Sequence, residues 1–176
     1  ACPVTAEGID FGAESLIDPF GGMGHLLQRV LDTPRSAEEC FNDDPLRMMR
    51  AARFSAQLGF NPSKRVMDAC RGLGPRIKTI SAERVQAELI KLLSAPFPEQ
   101  GVRFLQDSKL LRIVLPGLVA IGPHQMLLGD DWQTRLADLM RHVGPFAVRE
   151  IMVRLKMSNA DIQLVTDLVT WVHRFE

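Results

Sequence analysis

The stretch that decides the fold is FNDDPLRMMRAARFSAQLGF, residues 41–60. Asp44 followed by Pro45 predicts the start of a helix, because an acidic N-cap accepts backbone hydrogen bonds and proline needs no partner at the first helical position. Asp43 and Asp44 would also lie at the positive end of the helix dipole, where carboxylates are favoured. We expect the helix to run to Leu58 and to end at Gly59.

Three arginines follow on one side of this predicted helix. Arg47, Arg50 and Arg53 recur every three residues, so their guanidinium groups form a slanting stripe. The other side carries small or flexible residues that allow close packing, namely Met48, Ala51, Ala52, Ser55 and Ala56. Two carboxylates beside forked donors could read the edge of a nucleobase and hold its phosphates. A solvated arginine face on an ordinary amphipathic helix is the alternative.

Composition is that of an ordinary globular protein. The 176 residues are 46% hydrophobic and 24% charged, which suits one or two domains. No apolar run approaches the roughly 18 residues that a membrane helix needs, and nothing resembles a signal peptide. Cys2, Cys40 and Cys70 are odd in number and have no paired spacing, so we expect a reducing compartment, either the cytoplasm or an organelle matrix. Because Ala1 is not a methionine, we expect a processed chain or part of a longer one.

The net charge of zero conceals a strong polarity along the chain. Residues 1–44 carry nine acids and two bases, whereas residues 45–91 carry ten bases and three acids. A cationic middle segment could follow an RNA backbone, since phosphate neutralisation dominates the affinity of proteins for nucleic acids. Alternatively, the acidic and basic segments attract each other within the fold.

Beyond its opening residues the chain has a helical pattern. Residues 4–11 and 15–17 predict a short β-hairpin that turns at residues 12–14, and residues 18–22 predict a tight turn. Helices are expected over residues 25–31, 37–41, 64–73, 82–93, 98–106, 132–142, 146–155 and 160–175, with a linker at residues 121–131. The predicted fold class is therefore mainly α with a short hairpin at the start.

The run DDPLRMMRAARF, residues 43–54, closely resembles the neck signature of the bacterial-type (class II) tRNA nucleotidyltransferase and poly(A) polymerase family. That signature reads acid-Asp-Pro-Leu-Arg, two residues, Arg, two residues, Arg-Phe. In the family the acid pair and the first arginine act as a protein template for the base of CTP or ATP, and the next arginines face the triphosphate. The resemblance implies that Asp43, Asp44 and Arg47 select the base and that Arg50 and Arg53 bind the nucleotide.

Flanking segments carry the same resemblance. Residues 16–22 and 29–34 are similar to the end of the family's catalytic head, and residues 80–89 are similar to its Glu-Arg-Ile-x-x-Glu-Leu segment. In the family that segment braces the neck helices, so the resemblance implies a structural or RNA-side role for Arg84 and Glu88. Their spacing alone predicts an i,i+4 ion pair.

The resemblance also implies Mg²⁺ held by an Asp-x-Asp pair in the head, and the sequence contains no such pair. Because two-metal nucleotidyl transfer needs carboxylates, we assign no catalytic residue to this chain and expect it to be inactive by itself. Residues 135–145 are similar to the start of the metal-binding His-Asp domain of some family members. The doublet there reads Arg141-His142, which lacks the required ligands, so no metal site is expected.

The resemblance divides the chain into the edge of the head at residues 1–35, a helical neck at residues 36–118 and a helical body at residues 119–176. It implies nucleotidyl transfer to RNA 3′ ends, most closely CCA addition to tRNA, with ATP and CTP as substrates. The expected partners are tRNA or another RNA 3′ end, and the missing head domain or a larger ribonucleoprotein; no membrane is expected. A non-catalytic RNA-binding subunit derived from this family is the alternative, since the head carboxylates are absent.

Overall fold

The computed structural model describes residues 18–118 and 129–175, the side chains of the second range only as far as Val172, and the backbone of two short strands near the N-terminus. The fold is mainly α, as the sequence predicts. Its elements in chain order are the strands β1 (Val4–Thr5) and β2 (Gly8–Ile9), α1 (Gly22–Leu27), β3 (Val30–Leu31), α2 (Ala37–Asp43), α3 (Leu46–Leu58), β4 (Asn61–Pro62), α4 (Lys64–Leu73), a 3-10 helix (Gly74–Thr79), α5 (Ala82–Leu93), α6 (Pro98–Asp107), α7 (Leu111–Val114), α8 (Trp132–Leu139), α9 (Pro145–Arg154) and α10 (Asn159–Phe175).

Helix α3 is the centre of the first half of the molecule and packs against α5 and α6. Its inner face carries the small and flexible side chains noted in the sequence, and Met48, Ala52 and Ala56 are fully buried. Gly101 of α6 makes the close approach possible. A Cβ atom at this position would lie 2.8 Å from the Cβ of Ala56 and 2.7 Å from the Cγ of Leu92.

The second half of the described chain is a set of three helices, in which α10 packs on α8 and α9. Two arginines join these helices to the first half. The Arg135 Nη1 donates to the carbonyl oxygens of Leu93 (2.7 Å) and Ala95 (3.2 Å), and the Arg154 guanidinium donates to those of Ile113 and Val114. Cationic donors at the carboxyl ends of helices satisfy carbonyls that have no partner within the helix. The buried apolar residues form one cluster that includes both halves, and the division into neck and body at residues 118/119 stays a prediction.

The segment before α2 differs from the sequence prediction. A helix was expected over residues 25–31, but α1 ends at Leu27 and Arg29 adopts a left-handed φ of 54°. Residues 30–31 then form β3, which pairs in parallel with β4 in the register Val30↔Asn61. This pairing is non-local, and the backbone bond from Asn61 N to Arg29 O (2.9 Å) has no signal in the local periodicity.

The N-terminal strand pair joins residues that the sequence placed in one strand. β1 and β2 pair antiparallel with Val4 opposite Ile9 and Thr5 opposite Gly8, whereas the predicted turn at residues 12–14 lies outside the described residues. The second predicted strand, residues 15–17, and most of the predicted linker, residues 121–131, lie outside the described residues.

Most of the remaining helices match their predicted bounds within one or two residues. α4 spans Lys64–Leu73 as expected, because Ser63 caps its start with a hydrogen bond from Val66 N. α10 begins with Ser158 Oγ accepting a hydrogen bond from Asp161 N at 3.1 Å, which is the N-cap bond of a capping box. α8 ends at Leu139 and not at His142.

Candidate nucleotide site

The start of α3 is built as its sequence predicts. α3 begins at Leu46, Pro45 has helical dihedral angles, and the Oδ1 of Asp44 accepts a hydrogen bond from Leu46 N at 3.1 Å. A carboxylate in this position satisfies a backbone N–H that has no partner inside the helix. The other end is closed by Gly59, whose φ of 67° is the left-handed conformation that glycine adopts without strain.

A cleft of about 360 Å³ lies beside the arginine stripe. Arg47 and Arg50 of α3 form one side of it, and the segment of residues 31–35 forms part of the rest. Its other lining residues are Cys40, Phe41, Ala51, Phe54 and Val66. A mostly apolar cleft of this size with a few cationic groups is typical of small-molecule sites.

The three stripe arginines are not equivalent. Arg47 and Arg50 are exposed and line the cleft, whereas the side chain of Arg53 is 17% exposed and is absent from the lining. Arg53 Nε lies 2.8 Å from the Oε2 of Glu88, Arg50 Nε lies 3.6 Å from its Oε1, and the Arg53 Nη1 donates to Gln57 at 3.3 Å. The Glu88 carboxylate, on α5, is buried. Glu88 therefore forms ion pairs with two of the three guanidinium groups, those of Arg50 and Arg53.

The acid pair at the start of α3 already has cationic partners. Asp43 Oδ2 lies 3.4 Å from Arg35 Nη2, and Asp44 Oδ2 lies 3.4 Å from Arg84 Nη2. Neither carboxylate lines the cleft, although the Asp43 side chain is 57% exposed.

The i,i+4 ion pair expected between Arg84 and Glu88 is wrong. Arg84 reaches from α5 to Asp44, and Glu88 reaches to α3, so both side chains join different elements. Contacts between helices outcompete the pair along α5, because a buried carboxylate gains more from two guanidinium groups than from one exposed neighbour. The structural or RNA-side role expected of Arg84 and Glu88 stays a prediction.

A second group of charged side chains, which sequence reasoning missed, lies on the opposite side of the cleft. The Asp32 carboxylate is only 9% exposed, and its two oxygens share the single Nε–H of Arg65, with Nε 2.7 Å from Oδ1 and 2.9 Å from Oδ2. Burial raises the pKa of Asp32, but the bonds from Arg65, Thr33 N and Ser63 outweigh it and hold the pKa below its usual range. The two residues are 33 positions apart, so no local spacing could have indicated the pair.

The residues present do not fit a magnesium site. Within residues 18–118 and 129–175 there is no group of three or more side chains that could hold a metal ion. In the segment that resembles a His-Asp domain, Arg141 pairs with Asp138 at 3.0 Å and donates to the Nε2 of His142 at 3.1 Å, so a guanidinium group stands beside both groups that could bind a metal.

Other chemistry in the described part of the chain is sparse. Cys40 and Cys70 are buried free thiols, and burial raises the pKa of Cys70 to about 12, so this thiol is not a nucleophile. Among the same residues, no helix is both long and apolar enough to cross a membrane.

Two curated relatives match most of this chain. The CCA-adding enzyme of Anoxybacillus flavithermus is 42% identical over 166 residues, which is 92% of this chain and 41% of that enzyme. The CCA-adding enzyme of Leuconostoc citreum is 30% identical over 88% of this chain and 40% of its own length. The chain belongs to the tRNA nucleotidyltransferase and poly(A) polymerase family.

A family model and a solved structure support the assignment. The model described as "Probable RNA and SrmB- binding site of polymerase A" matches residues 59–121, from the end of α3 to just beyond α7. The crystal structure of the Bacillus stearothermophilus CCA-adding enzyme in complex with CTP superposes with a TM-score of 0.64 and 29% identity, covering 90% of this chain and 42% of that one. The chain thus spans about two fifths of the length of the relatives it matches.

Proposed function

We propose that this chain is the nucleotide-selecting and RNA-binding part of an enzyme that adds nucleotides to RNA 3′ ends, most specifically CCA to tRNA. CTP and ATP are the nucleotide substrates. The relatives that match are named CCA-adding enzymes, and one of them was solved with CTP. The activity is proposed for the whole protein.

The observation that carries this proposal is the cleft beside the start of α3. It has room for a base and ribose, its walls are mostly apolar, and two exposed guanidinium groups, Arg47 and Arg50, stand on one side. Guanidinium groups bind phosphate oxygens and carbonyl oxygens in forked pairs, while an apolar slot accepts the faces of a base. A solvated arginine face would not need a cleft.

Roles for the individual residues follow the order along α3. Arg47, nearest the acid pair, reads the base edge together with Asp43 and Asp44, while Arg50 and Arg53 bind the phosphates. To reach the base, the Asp44 carboxylate gives up its contact with Arg84 and binds the base in its place. This contact is long, at 3.4 Å, and the Asp44 side chain is 26% exposed. Arg53 contributes mainly through Glu88, which links it to Arg50.

The reaction is an in-line attack of the RNA 3′-hydroxyl oxygen on the α-phosphate of the bound nucleotide. A new phosphodiester bond forms, the bond to the β-phosphate oxygen breaks, and pyrophosphate leaves. No residue described in this chain is assigned a proton transfer or a metal, because none of them forms a carboxylate cluster. The part played here is selection and orientation, which accelerates a reaction by fixing the reacting groups.

The RNA partner is proposed to lie along the region from the end of α3 to α7. The matched family model describes that region as an RNA-binding site, and the cationic segment of residues 45–91 overlaps it. Excess basic charge provides the sequence-independent part of RNA affinity. A reducing compartment such as the cytoplasm suits the buried free thiols of Cys40 and Cys70.

The enzyme hypothesis is preferred over a non-catalytic RNA-binding subunit. A subunit without nucleotide chemistry has no need for the cleft or for an exposed Arg47 beside Asp44. The named relatives also favour the enzyme.

The test is incorporation of labelled CTP and ATP by the whole protein into tRNA that lacks its 3′ terminus. We expect Arg47→Ala to raise the KM for both nucleotides about tenfold or more, because it removes a forked contact worth roughly 1.5–3 kcal/mol. Asp44→Ala should reduce the discrimination between CTP and ATP. Arg149→Ala, at an exposed position on α9 away from the cleft, is the matched control and should change neither value.

An unchanged nucleotide affinity in Arg47→Ala would show that the base does not lie against α3. Absence of incorporation by the wild-type protein, with RNA binding retained, would favour the non-catalytic subunit instead.

A further inference from the structure

We propose that Asp32 and Arg65 are a positioning pair for nucleotide binding: together they hold residues 33–35 as the wall of the cleft that faces the arginine stripe. The proposal rests on the proposed function, since it concerns the same cleft. Asp32 lies in the segment of residues 29–34 that resembles the family's head, whereas Arg65 lies outside every segment that carries the resemblance, and the two approach each other only through the fold.

The Asp32 carboxylate is fully engaged. Its Oδ1 accepts hydrogen bonds from Arg65 Nε (2.7 Å), from Ser63 Oγ (2.9 Å) and from Thr33 N (2.8 Å), and its Oδ2 accepts from Arg65 Nε at 2.9 Å. Charge-assisted bonds of this kind are the strong ones in proteins. A side chain held in this way has one position, and so does the backbone that follows it.

Arg65 uses its remaining donors on the same segment. Its Nη2 donates to the carbonyl oxygen of Thr33, and its Nη1 donates to that of Arg35 at 3.3 Å. One planar guanidinium group therefore binds a carboxylate and two carbonyl oxygens spaced over four residues. A lysine ammonium group cannot copy this arrangement, because it is a compact charge without a fixed fork.

The segment held in this way borders the nucleotide cleft and reaches the acid pair. Asp32, Thr33, Pro34 and Arg35 all line the cleft. The carbonyl oxygen of Arg35 accepts from Arg65 Nη1 (3.3 Å) and from Thr33 Oγ1 (2.7 Å), and the side chain of Arg35 ion-pairs with Asp43 at 3.4 Å. The pair thus acts on nucleotide binding through the cleft wall and on base selection through the position of Asp43.

Burial alone does not explain the arrangement. Arg65 is 46% exposed, and the segment it binds has no residue in the apolar core. A pair that served only to hold the fold would gain more by joining buried elements, as Glu88 does. Here its donors end on a surface segment that lines the nucleotide cleft, and Thr33 and Pro34 of this segment also border a second cavity beside His25.

The experiment compares nucleotide and RNA kinetics of the whole protein with Arg65→Gln and Arg65→Lys. We expect both variants to raise the KM for CTP and ATP about tenfold, because a small displacement of a positioning segment is costly, and to change their discrimination. The KM for RNA should stay within about twofold. Arg149→Gln is the matched control, since Arg149 is exposed on α9 and lies outside both the cleft lining and the region proposed to bind RNA; it should change nothing.

Each other outcome bears on the proposal. Rescue by Arg65→Lys would show that charge alone matters and would overturn the positioning role, as would an equal rise in the nucleotide and RNA KM values or no rise at all. If Arg65→Gln fails to fold, as judged by thermal unfolding, Asp32→Asn decides by the same criteria. A normal Arg65→Gln beside a weakened Arg47→Ala removes only this inference, whereas a normal Arg47→Ala removes the proposed function with it.

Discussion

The two parts of the cleft wall are each held by a carboxylate that ion-pairs with arginine, but the two carboxylates have different partners and surroundings. On the α3 side, Glu88 is buried and ion-pairs with both Arg50 and Arg53, so these three residues are part of the packing between α5 and α3. On the opposite side, Asp32 is gripped by an Arg65 that is almost half exposed and that also binds the backbone. Glu88 positions two arginine side chains, whereas Asp32 and Arg65 position a stretch of main chain.

The largest effect is expected where the pair lies inside the packing. Glu88→Gln should lower the free energy of unfolding by about 3 kcal/mol, because it leaves the largely buried guanidinium group of Arg53, 17% exposed, beside Arg50 without a counter-charge. Equilibrium urea unfolding measures this loss. A change below about 1 kcal/mol would show that Glu88 is no more important to the fold than an exposed ion pair.

A smaller effect should come from the packing of the α3 side without any charge. Gly101→Ala puts a Cβ atom within 3.0 Å of the backbone oxygen of Ala52, so α6 has to move away from α3. We expect a loss of about 2 kcal/mol, typical of an overfilled core. Gly72→Ala, where a Cβ atom would meet nothing within 4 Å, is the matched control in urea unfolding and should be neutral or slightly stabilising. Equal stability of the two variants would contradict the close approach.

The smallest effect is expected on the opposite side, and it depends on pH. Asp32→Asn should cost about 1 kcal/mol near neutral pH, because an amide still accepts hydrogen bonds but lacks the charge. The pKa of Asp32 lies lower in the folded protein than in the unfolded chain. The carboxylate therefore stabilises the fold above the unfolded value of about 3.9 and loses this contribution as the pH falls through the folded pKa.

Urea unfolding of the wild-type protein and Asp32→Asn between about pH 3 and pH 7 checks this sign. The difference between them should shrink toward the acid end. His25 Nε2 also lies 3.8 Å from Asp32 Oδ2, and histidines change charge mostly above about pH 5, so the interval from about pH 5 down to pH 3 decides. A difference that grew over that interval would mean that the pKa of Asp32 is raised and that its bonds to Arg65 are weaker than the geometry indicates.

Sequence reasoning was most successful where the signals are local. The bounds of α3 and α4 follow from the caps at Asp44 and Ser63 and from the stop at Gly59, since each acts within one turn of helix. The core face of α3 follows from its periodicity for the same reason. The family signature lies on this helix, so the candidate site could be located at once.

Apart from the ends of α1 and α8, the unpredicted features are contacts between distant residues. The strand pair of Val30 with Asn61, the fork of Arg65 on Asp32 and the partners of Arg84 and Glu88 each join positions 31–40 residues apart along the chain, or different helices. A pair at i,i+4 is a weak local preference, of a few tenths of a kcal/mol, and a tertiary partner overrides it. Only the three-dimensional arrangement shows which cation each carboxylate binds.

The two carboxylate oxygens of Asp44 have different partners: Oδ1 accepts a hydrogen bond from Leu46 N, and Oδ2 lies 3.4 Å from Arg84 Nη2. Because Oδ1 is bonded to the backbone, the side chain keeps one rotamer, and the position of Oδ2 is fixed relative to the main chain. A partner bound by Oδ2 would therefore be positioned relative to the axis of α3, and its position would be as well defined as that of the helix.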